Sequence, residues 1–351
     1  MTQFALATVS ASGQAKGAAL VIAGRVAMLD DLLRARPIQG LAAGQTVLAL
    51  LEAWEETSPA LEALADAAQA LSAVTWRTED EVRYHPPVDL PRQIFCTGAN
   101  YRTHVVHLHM DTKFGPEGLE GDDLRKWAEK MMDDRLANGE PYVFTKPVAA
   151  VAGANDTLVL PKTTKKPDWE LELAVIIGKG GFNIPLDQAM DHIAGYAIAN
   201  DVSARDLIPR TDYPMLGTDW FRAKGQTGFL PFGPWLVPAK FVPEPYDLGI
   251  RLSVEGRMMQ NESTSDMMFD IARQIEYISR YTPLWPGDVI CTGSPAGNGT
   301  HYNRFLQDGD MMVGEIDGLG RQTVRCEAAV WKGAGRRGPG CDLEEGSDPR
   351  P

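Results

Sequence analysis

One acidic pair in this chain has the spacing to hold a cation: Glu170 and Glu172, in Asp168-Trp169-Glu170-Leu171-Glu172-Leu173-Ala174-Val175. On a strand, side chains two apart share a face, so the two Cβ atoms stand roughly 7 Å apart and both carboxylates can reach one ion. Leu171 and Leu173 then face the core. The same alternation also describes an ordinary half-exposed strand with a solvated acidic face, and this segment alone does not separate the two readings. A third acid adds weight. The run HIAGYAIANDVSARD is an apolar strand that ends in Asn200 and Asp201, with Ser203, Arg205 and Asp206 just beyond. Sites are often built where polar residues gather at the end of a buried strand. Asp201 with the glutamates would make an all-oxygen set, suited to Mg²⁺, Mn²⁺ or Ca²⁺ and not to zinc. The alternative is that Asp201 and Arg205 merely cap the following turn.

Three of the six histidines lie in NYRTHVVHLHM, at His104, His107 and His109. On a helix His104 and His107 share a face and His109 does not. A histidine beside a metal is a common general base; taken singly, each is more simply structural. Ser294, in CTGSPAGNG, sits in a glycine-rich turn whose amides and hydroxyl could bind a carboxylate. It is not a GxSxG nucleophile elbow. Lys224, in FRAKGQTG, is uninformative alone. GKGGF is not the dinucleotide fingerprint, and no P-loop is present.

The elements that must position these residues are mostly short strands. From Pro147 onward AVAGANDTLVLP, WELELAVIIG, HIAGYAIANDVSARD, GPWLVP, IRLSVEGRMMQ, DVICTGSP and MMVGEIDGLG alternate with turns. That pattern predicts a folded-over sheet or roll and not a doubly wound fold. Among them SDMMFDIARQIEYISRYT predicts an amphipathic helix capped by Ser265 or Asp266. GDDLRKWAEKMMDDRLANG predicts another, with Leu124, Trp127 and Met131 on its narrow apolar face. Residues 1–91 read as a small appended α+β unit, in which Ser58-Pro59 starts a second helix. YHPPVDLPRQ is the linker. The end of the chain, 332–351, has almost nothing to bury and is expected to be disordered.

Composition narrows the partners. A net charge of −13 without a basic stripe argues against a nucleic-acid partner. No apolar run is long enough to span a membrane, so no membrane partner is expected. The first residues lack a secretory pattern. Four cysteines without CxxC spacing read as free thiols in a reducing cytoplasm.

Taken in order, CTGANYRTH, PYVFTKP, DWELELAVIIGK, AGYAIANDVSARD, RAKGQTGFLPFGPW, QNESTSDMMFDI, LWPGDVICTGSPAGNG and LQDGD…EIDGLG resemble the fumarylacetoacetate hydrolase family over residues 92–328. The resemblance implies an α+β, β-rich fold: a mixed β-sheet roll or barrel with a few flanking helices. The catalytic domain would run over 92–331, with a lid over about 104–140. It also implies one divalent cation, Mg²⁺ foremost, with Mn²⁺ or Ca²⁺ as alternatives, ligated by Glu170, Glu172 and Asp201. By position His104 is the base and Lys224 contacts the reacting substrate, while Arg205, Ser294, Lys146 and Tyr101 surround it. His107 belongs to the catalytic set but departs from the family pattern, since many members place there a glutamate that pairs with the base. Glu117, Glu120 or Asp122 could replace it, or the pair is absent. Gly228 is a second departure, where a hydroxyl residue follows the lysine by four. The implied partners are a small 2-oxo or 1,3-dioxo acid and a second copy of the chain. The implied reaction is hydrolysis of a carbon–carbon bond in an acylpyruvate-like acid. Tautomerisation or isomerisation, decarboxylation, hydration and metal-dependent binding without catalysis are the alternatives.

Overall fold

The computed structural model describes residues 1–330. The chain opens with strands β1 (Ala5–Ala11), β2 (Gly17–Ile22) and β3 (Arg25–Met28), then helices α1 (Leu29–Ala35), α2 (Val47–Glu52) and α3 (Trp54–Ala68). Strands β4 (Arg77–Thr78) and β5 (Val82–His85) complete a sheet ordered β4-β3-β2-β1-β5. Next come β6 (Ile94–Gly98), α4 (Arg102–Thr112), α5 (Gly121–Asn138), β7 (Tyr142–Thr145), β8 (Val151–Gly153) and β9 (Leu158–Leu160). They lead to β10 (Pro167–Asp168), β11 (Leu171–Ile177), β12 (Ile193–Asn200), β13 (Ser203–Ala204) and the short helix α6 (Trp220–Lys224). The last third holds β14 (Leu230–Phe232), β15 (Val237–Pro238), β16 (Gly249–Val254), β17 (Arg257–Ser263) and α7 (Ile271–Tyr281). It closes with β18 (Val289–Cys291), α8 (Gly299–Tyr302), β19 (Met311–Ile316) and β20 (Gly320–Ala328).

A mixed sheet ordered β7-β6-β18-β11-β12-β14-β8, with β15 also on β12, faces a second ordered β17-β16-β19-β20-β9. This is the β-rich α+β architecture that the strand pattern and the resemblance predicted. The two sheets touch at Leu171, where a Cβ on Gly314 would come within 2.6 Å of the leucine methyl. Every residue of β11 and of β12 is buried, so the half-exposed reading of the acidic strand does not hold. Alternation explains why. Leu171, Leu173, Val175 and Ile177 point into the core between the sheets, while Ala174 and Ile176 point the other way. Glu172 shares the face of Ala174 and Ile176, at the end of an apolar row.

That second face is covered by the N-terminal unit. Leu6, Leu20, Leu50, Leu61 and Leu64 form one cluster with Ile176, Ala197, Phe232 and Leu236. Leu6 also exchanges both backbone hydrogen bonds with Leu236, each at 2.8 Å. The residues before Pro91 therefore share their core with the larger sheet.

Three local expectations are corrected. Pro59 does not start a helix but lies inside α3, which begins at Trp54; burial of Leu61, Leu64, Ala65 and Ala68 outweighs the hydrogen bond that proline cannot make. The amphipathic helix α7 starts at Ile271 with Asp270 as its cap, accepting from the Arg273 N–H at 2.7 Å. Asp266 is engaged elsewhere, receiving the backbone and hydroxyl of Thr103 at 2.8 and 3.1 Å and so anchoring α4. On α5 the fully buried row is Leu124, Ala128 and Met132, with Trp127 and Met131 only partly covered. The tail and Cys341 lie outside the described residues. Cys96, Cys291 and Cys326 are free and buried. No helix among the described residues is long and apolar enough to cross a membrane.

The shared core makes a prediction about cooperativity. Leu236→Ala should cost about 2–5 kcal/mol, and the loss should appear equally in far-ultraviolet circular dichroism and tryptophan fluorescence during urea unfolding. Two separate transitions would mean that the N-terminal unit is held by something other than this cluster.

Candidate metal centre

The pairing of β11 with β12 brings the acids together. Leu171 stands opposite Asn200 and Glu172 opposite Ala199, so the start of one strand lies beside the end of the other. Glu170 sits just before β11 and Asp201 just after β12. The Asp201 N–H donates to the Glu170 carbonyl at 2.8 Å, and the Asn200 side chain accepts the Glu170 N–H at 2.9 Å. Carboxylate oxygens of Glu170, Glu172 and Asp201 lie within 4.8 Å of one another, on side chains of residues 5%, 2% and 2% exposed. The loop after β18 completes the floor. Gly293, at φ +107°, turns its N–H onto Glu172 Oε2 at 2.9 Å, where any Cβ would sit 2.8 Å from that of Asn100.

Cations surround two of the three acids. Lys146 Nζ bonds Asp201 Oδ1 at 2.5 Å. Lys224 Nζ bridges Asp201 Oδ2, at 2.5 Å, and Glu170 Oε2. Arg205 clamps Asp168 through Nε at 2.8 Å and Glu170 through its terminal nitrogen. Ser203 and Asn298 also donate to Glu170. Burial pushes the Glu170 carboxyl upward, but Arg205, Lys224 and His104 together overcome it and hold the group well below the usual carboxylate range. Burial weakens the Lys224 ammonium, and Asp201 with Glu170 reverses that, raising it above the usual lysine range. Glu172 has no such partner. Burial first, then the charges of Asp201 and its neighbours, drive its carboxyl well up. Among the described residues its one hydrogen bond is the Gly293 amide.

This donor set fits a hard divalent cation. Four buried carboxylates (Asp168, Glu170, Glu172 and Asp201) meet three cations, and the unbalanced one, Glu172, belongs to the cluster. The donors are all oxygen, and an ion there would supply the counter-charge that Glu172 lacks.

A cavity of about 120 Å³ opens beside the cluster. The three acids, Arg205, Lys224, Ser294 and His104 all line it, with Thr97–Ala99, Val105, Leu108, Phe144 and Trp220 forming the rest of its wall. His104 comes from α4, whose first turn Asp266 anchors. Burial lowers its imidazole pKa to about 4, with Arg205 and Lys224 adding to the effect against Glu170. It makes no hydrogen bond to a side chain among the described residues.

Several expected residues stand elsewhere. Tyr101 is fully enclosed, and Lys146 lies behind Asp201; neither lines the cavity, because strand packing covers both. His107 is turned away from the cavity and stacks on His301, with ring centroids 4.9 Å apart. His301 in turn bonds Asp111 at 2.8 Å. Glu117, Glu120 and Asp122 are all exposed and none pairs with His104. His109 is buried on another side of α4, bonded to the Phe114 carbonyl at 2.6 Å. Sequence reasoning missed Asp168, which holds Arg205 and also accepts the Gly299 N–H at 2.6 Å. It also missed Gln260, which accepts the Leu171 N–H and donates to Ser294 Oγ at 3.1 Å. Asp168 was within sight, two residues before Glu170 on the same face; Gln260 carries no local signal.

The model described as Fumarylacetoacetate (FAA) hydrolase C-terminal matches residues 93–327. Over 278 residues the chain is 34% identical to a 2,4-didehydro-3-deoxy-L-rhamnonate hydrolase of Sphingomonas sp. (strain SKA58), covering 78% of this chain and 86% of that protein. It is 35% identical to the mitochondrial oxaloacetate tautomerase FAHD2B of Homo sapiens over 279 residues, 79% of this chain and 78% of that one. Among solved structures, it is similar to maleylpyruvate hydrolase from Sphingobium sp. SYK-6 in complex with manganese(II) and pyruvate. That match has a TM-score of 0.68 and 26% identity, and it covers 93% of this chain and 100% of that one.

Two outcomes test the centre. Glu172→Ala should weaken Mn²⁺ binding at least about tenfold by titration calorimetry, since it removes a ligand and a charge together; undiminished affinity would place the ion elsewhere. For the metal-free protein, the His104 pKa near 4 lies below the ordinary 6.5. The unfolded chain therefore takes up the extra proton between those values, and stability falls as pH drops from about 6.5 to about 4, by roughly 3 kcal/mol. Urea midpoints of His104→Gln should lack that part of the acid slope. Identical slopes would show that His104 is not held neutral.

Proposed function

Because the chain belongs to the fumarylacetoacetate hydrolase family, we propose that it hydrolyses a carbon–carbon bond in a small acylpyruvate-like 1,3-dioxo acid. The observation that carries this reading is the position of His104, a neutral imidazole that shares one small cavity with three buried carboxylates. Glu170, Glu172 and Asp201 would hold the ion, Mg²⁺ by preference, because a few carboxylates with room for water and substrate suit it better than Ca²⁺. When bound, the ion supplies Lewis acidity toward the 2-oxo carboxylate end of the substrate.

The chain's own residues do the rest. His104 takes a proton from a cavity water, and the hydroxide adds to the distal carbonyl carbon. The carbon–carbon bond then breaks, its electron pair leaving on a pyruvate-type enolate. His104, a weak base, readily returns the proton to that carbon. Lys224 and Arg205 hold positive charge beside the developing enolate, already in place before reaction. Ser294 Oγ offers a hydroxyl to the substrate carboxylate.

One observation favours a second reading, tautomerisation of a 2-oxo acid. Among the described residues His104 makes no hydrogen bond to an acidic side chain that would steady an imidazolium, since His107 stands at the pairing position and stacks on His301. Moving a proton between carbon and oxygen of one substrate demands less of the base than activating water does. The same enolate chemistry covers decarboxylation and hydration, and the fold does not choose among them.

Acylpyruvates, oxaloacetate and 2-oxo-alkenoates followed by proton NMR with Mg²⁺ or Mn²⁺ should reveal cleavage of an acylpyruvate to pyruvate and a carboxylic acid. Keto–enol exchange of oxaloacetate alone, without loss of carbon dioxide, would replace hydrolysis with tautomerisation, and saturable binding without any conversion would leave a binder. His104→Ala should lower acylpyruvate turnover by about 100-fold or more with Mn²⁺ affinity unchanged. Unaltered turnover removes His104 from the reaction.

A further inference from the structure

The cations on the cavity wall are gathered at its acidic cluster. Among the described residues, Arg205 and Lys224 are the cations on its wall, and both are already committed to the acidic cluster. Arg205 is shared between Asp168 and Glu170, Lys224 between Glu170 and Asp201. Lys146 is buried behind Asp201 and does not reach the cavity. The remaining side chains are the hydroxyls of Thr97 and Ser294, then Ala99, then His104, Val105 and Leu108 from α4, Phe144 in β7 and Trp220 from α6. Phe144 and Trp220 stack at 5.0 Å with planes 19° apart, a rigid aromatic panel. The one titratable group among them, His104, is uncharged at neutral pH. On the same helix His107, also disfavoured as a cation by burial and by His301, faces away. Arg102 on the outer side of α4 is occupied by Asp133 at 2.9 Å.

A substrate carboxylate needs an ion, a lysine or an arginine when it leaves water, and an unpaired one costs several kcal/mol. The carboxylate of a 2-oxo acid finds these at the cluster. A second carboxylate at the far end of the molecule would find none. Resting on the reading of a 2-oxo-acid site, we infer that the group beyond the 2-oxo carboxylate is uncharged and apolar, and that dicarboxylates are excluded. Val105, Leu108, Phe144 and Trp220 are the specificity-determining residues.

Two matched ligands test this without requiring any reaction: 2-oxopentanoate and 2-oxoglutarate differ only in a terminal methyl against a terminal carboxylate. Titration calorimetry of the full chain at pH 7.5 with saturating Mn²⁺ should show 2-oxopentanoate binding at least about tenfold tighter. Leu108→Arg should reverse the order by giving the second carboxylate a partner. Equal affinities, or tighter binding of 2-oxoglutarate by the unaltered protein, overturn the inference. A preference for 2-oxopentanoate without cleavage of any dioxo acid would retire hydrolysis and leave the inference standing. Cleavage together with a 2-oxoglutarate preference would do the reverse, and absence of Mn²⁺-dependent binding of either acid overturns both.

Discussion

Three carboxylates crowded within 4.8 Å in a buried hollow repel one another, and much of the surrounding structure is arranged to contain that repulsion. At an effective dielectric of about 20, each ionised pair at that range costs roughly 3–4 kcal/mol. Lys146, Lys224 and Arg205 offset it for Glu170 and Asp201, at the further cost of removing three cations from water. Glu172 is left with one backbone amide. The protein thus folds around an uncompensated acid, which is the arrangement expected when a dication completes the balance. Apolar replacements of similar volume are often neutral or stabilising, so stability does not account for the charged interior, whereas an ion held there would.

Containment depends on backbone that cannot yield. The Glu170 amide and carbonyl are tied to Asn200 and Asp201, so the ends of β11 and β12 cannot splay. Glu172 stands at the end of an apolar row pressed by the N-terminal leucines, and Gly293 allows the approach of the loop that supplies its amide. The shared core therefore has a consequence for the site: the leucine cluster before Pro91 backs the strand that carries Glu172. A one-residue slip between β11 and β12 would turn Glu172 into the wrong core.

What could be read in the sequence follows from the range of each interaction. The ELE alternation and the strand ending in NDVSARD are local patterns, and both led to the three acids that the fold brings together. Strand-rich texture likewise predicted the mixed sheets. What stayed illegible was long-range or competitive. Nothing in EGRMMQ shows that Gln260 will satisfy the Leu171 amide from 89 residues away. The cap of α7 fell on Asp270 because Asp266 was claimed by Thr103, a contact 163 residues distant. Burial on both faces of β11 required knowing that a separate unit would cover it. Local signals for Tyr101 and Lys146 marked them as neighbours of the site, yet only packing decides which neighbours reach the cavity.

The histidines of α4 show how one residue at position 107 alters the surroundings of another. A carboxylate at position 107 would hold His104 in one orientation and favour its charged form. His107 does neither; its ring lies against His301, which Asp111 holds, so α4 is fastened to α8 by a stack instead of by a charge pair. His104 then faces the cavity without a hydrogen-bonded acid among the described residues, and burial outweighs the charge of Glu170 to keep it neutral. A base of that kind is poor at accumulating a proton and good at passing one on. In the proposed reaction proton traffic would therefore be short: from water or substrate to His104 and back to the same bound molecule, with Lys224 and Arg205 offsetting the negative charge of the enolate. That division of labour puts the electrostatic burden on the acidic cluster and its cations, where the fold has already concentrated it.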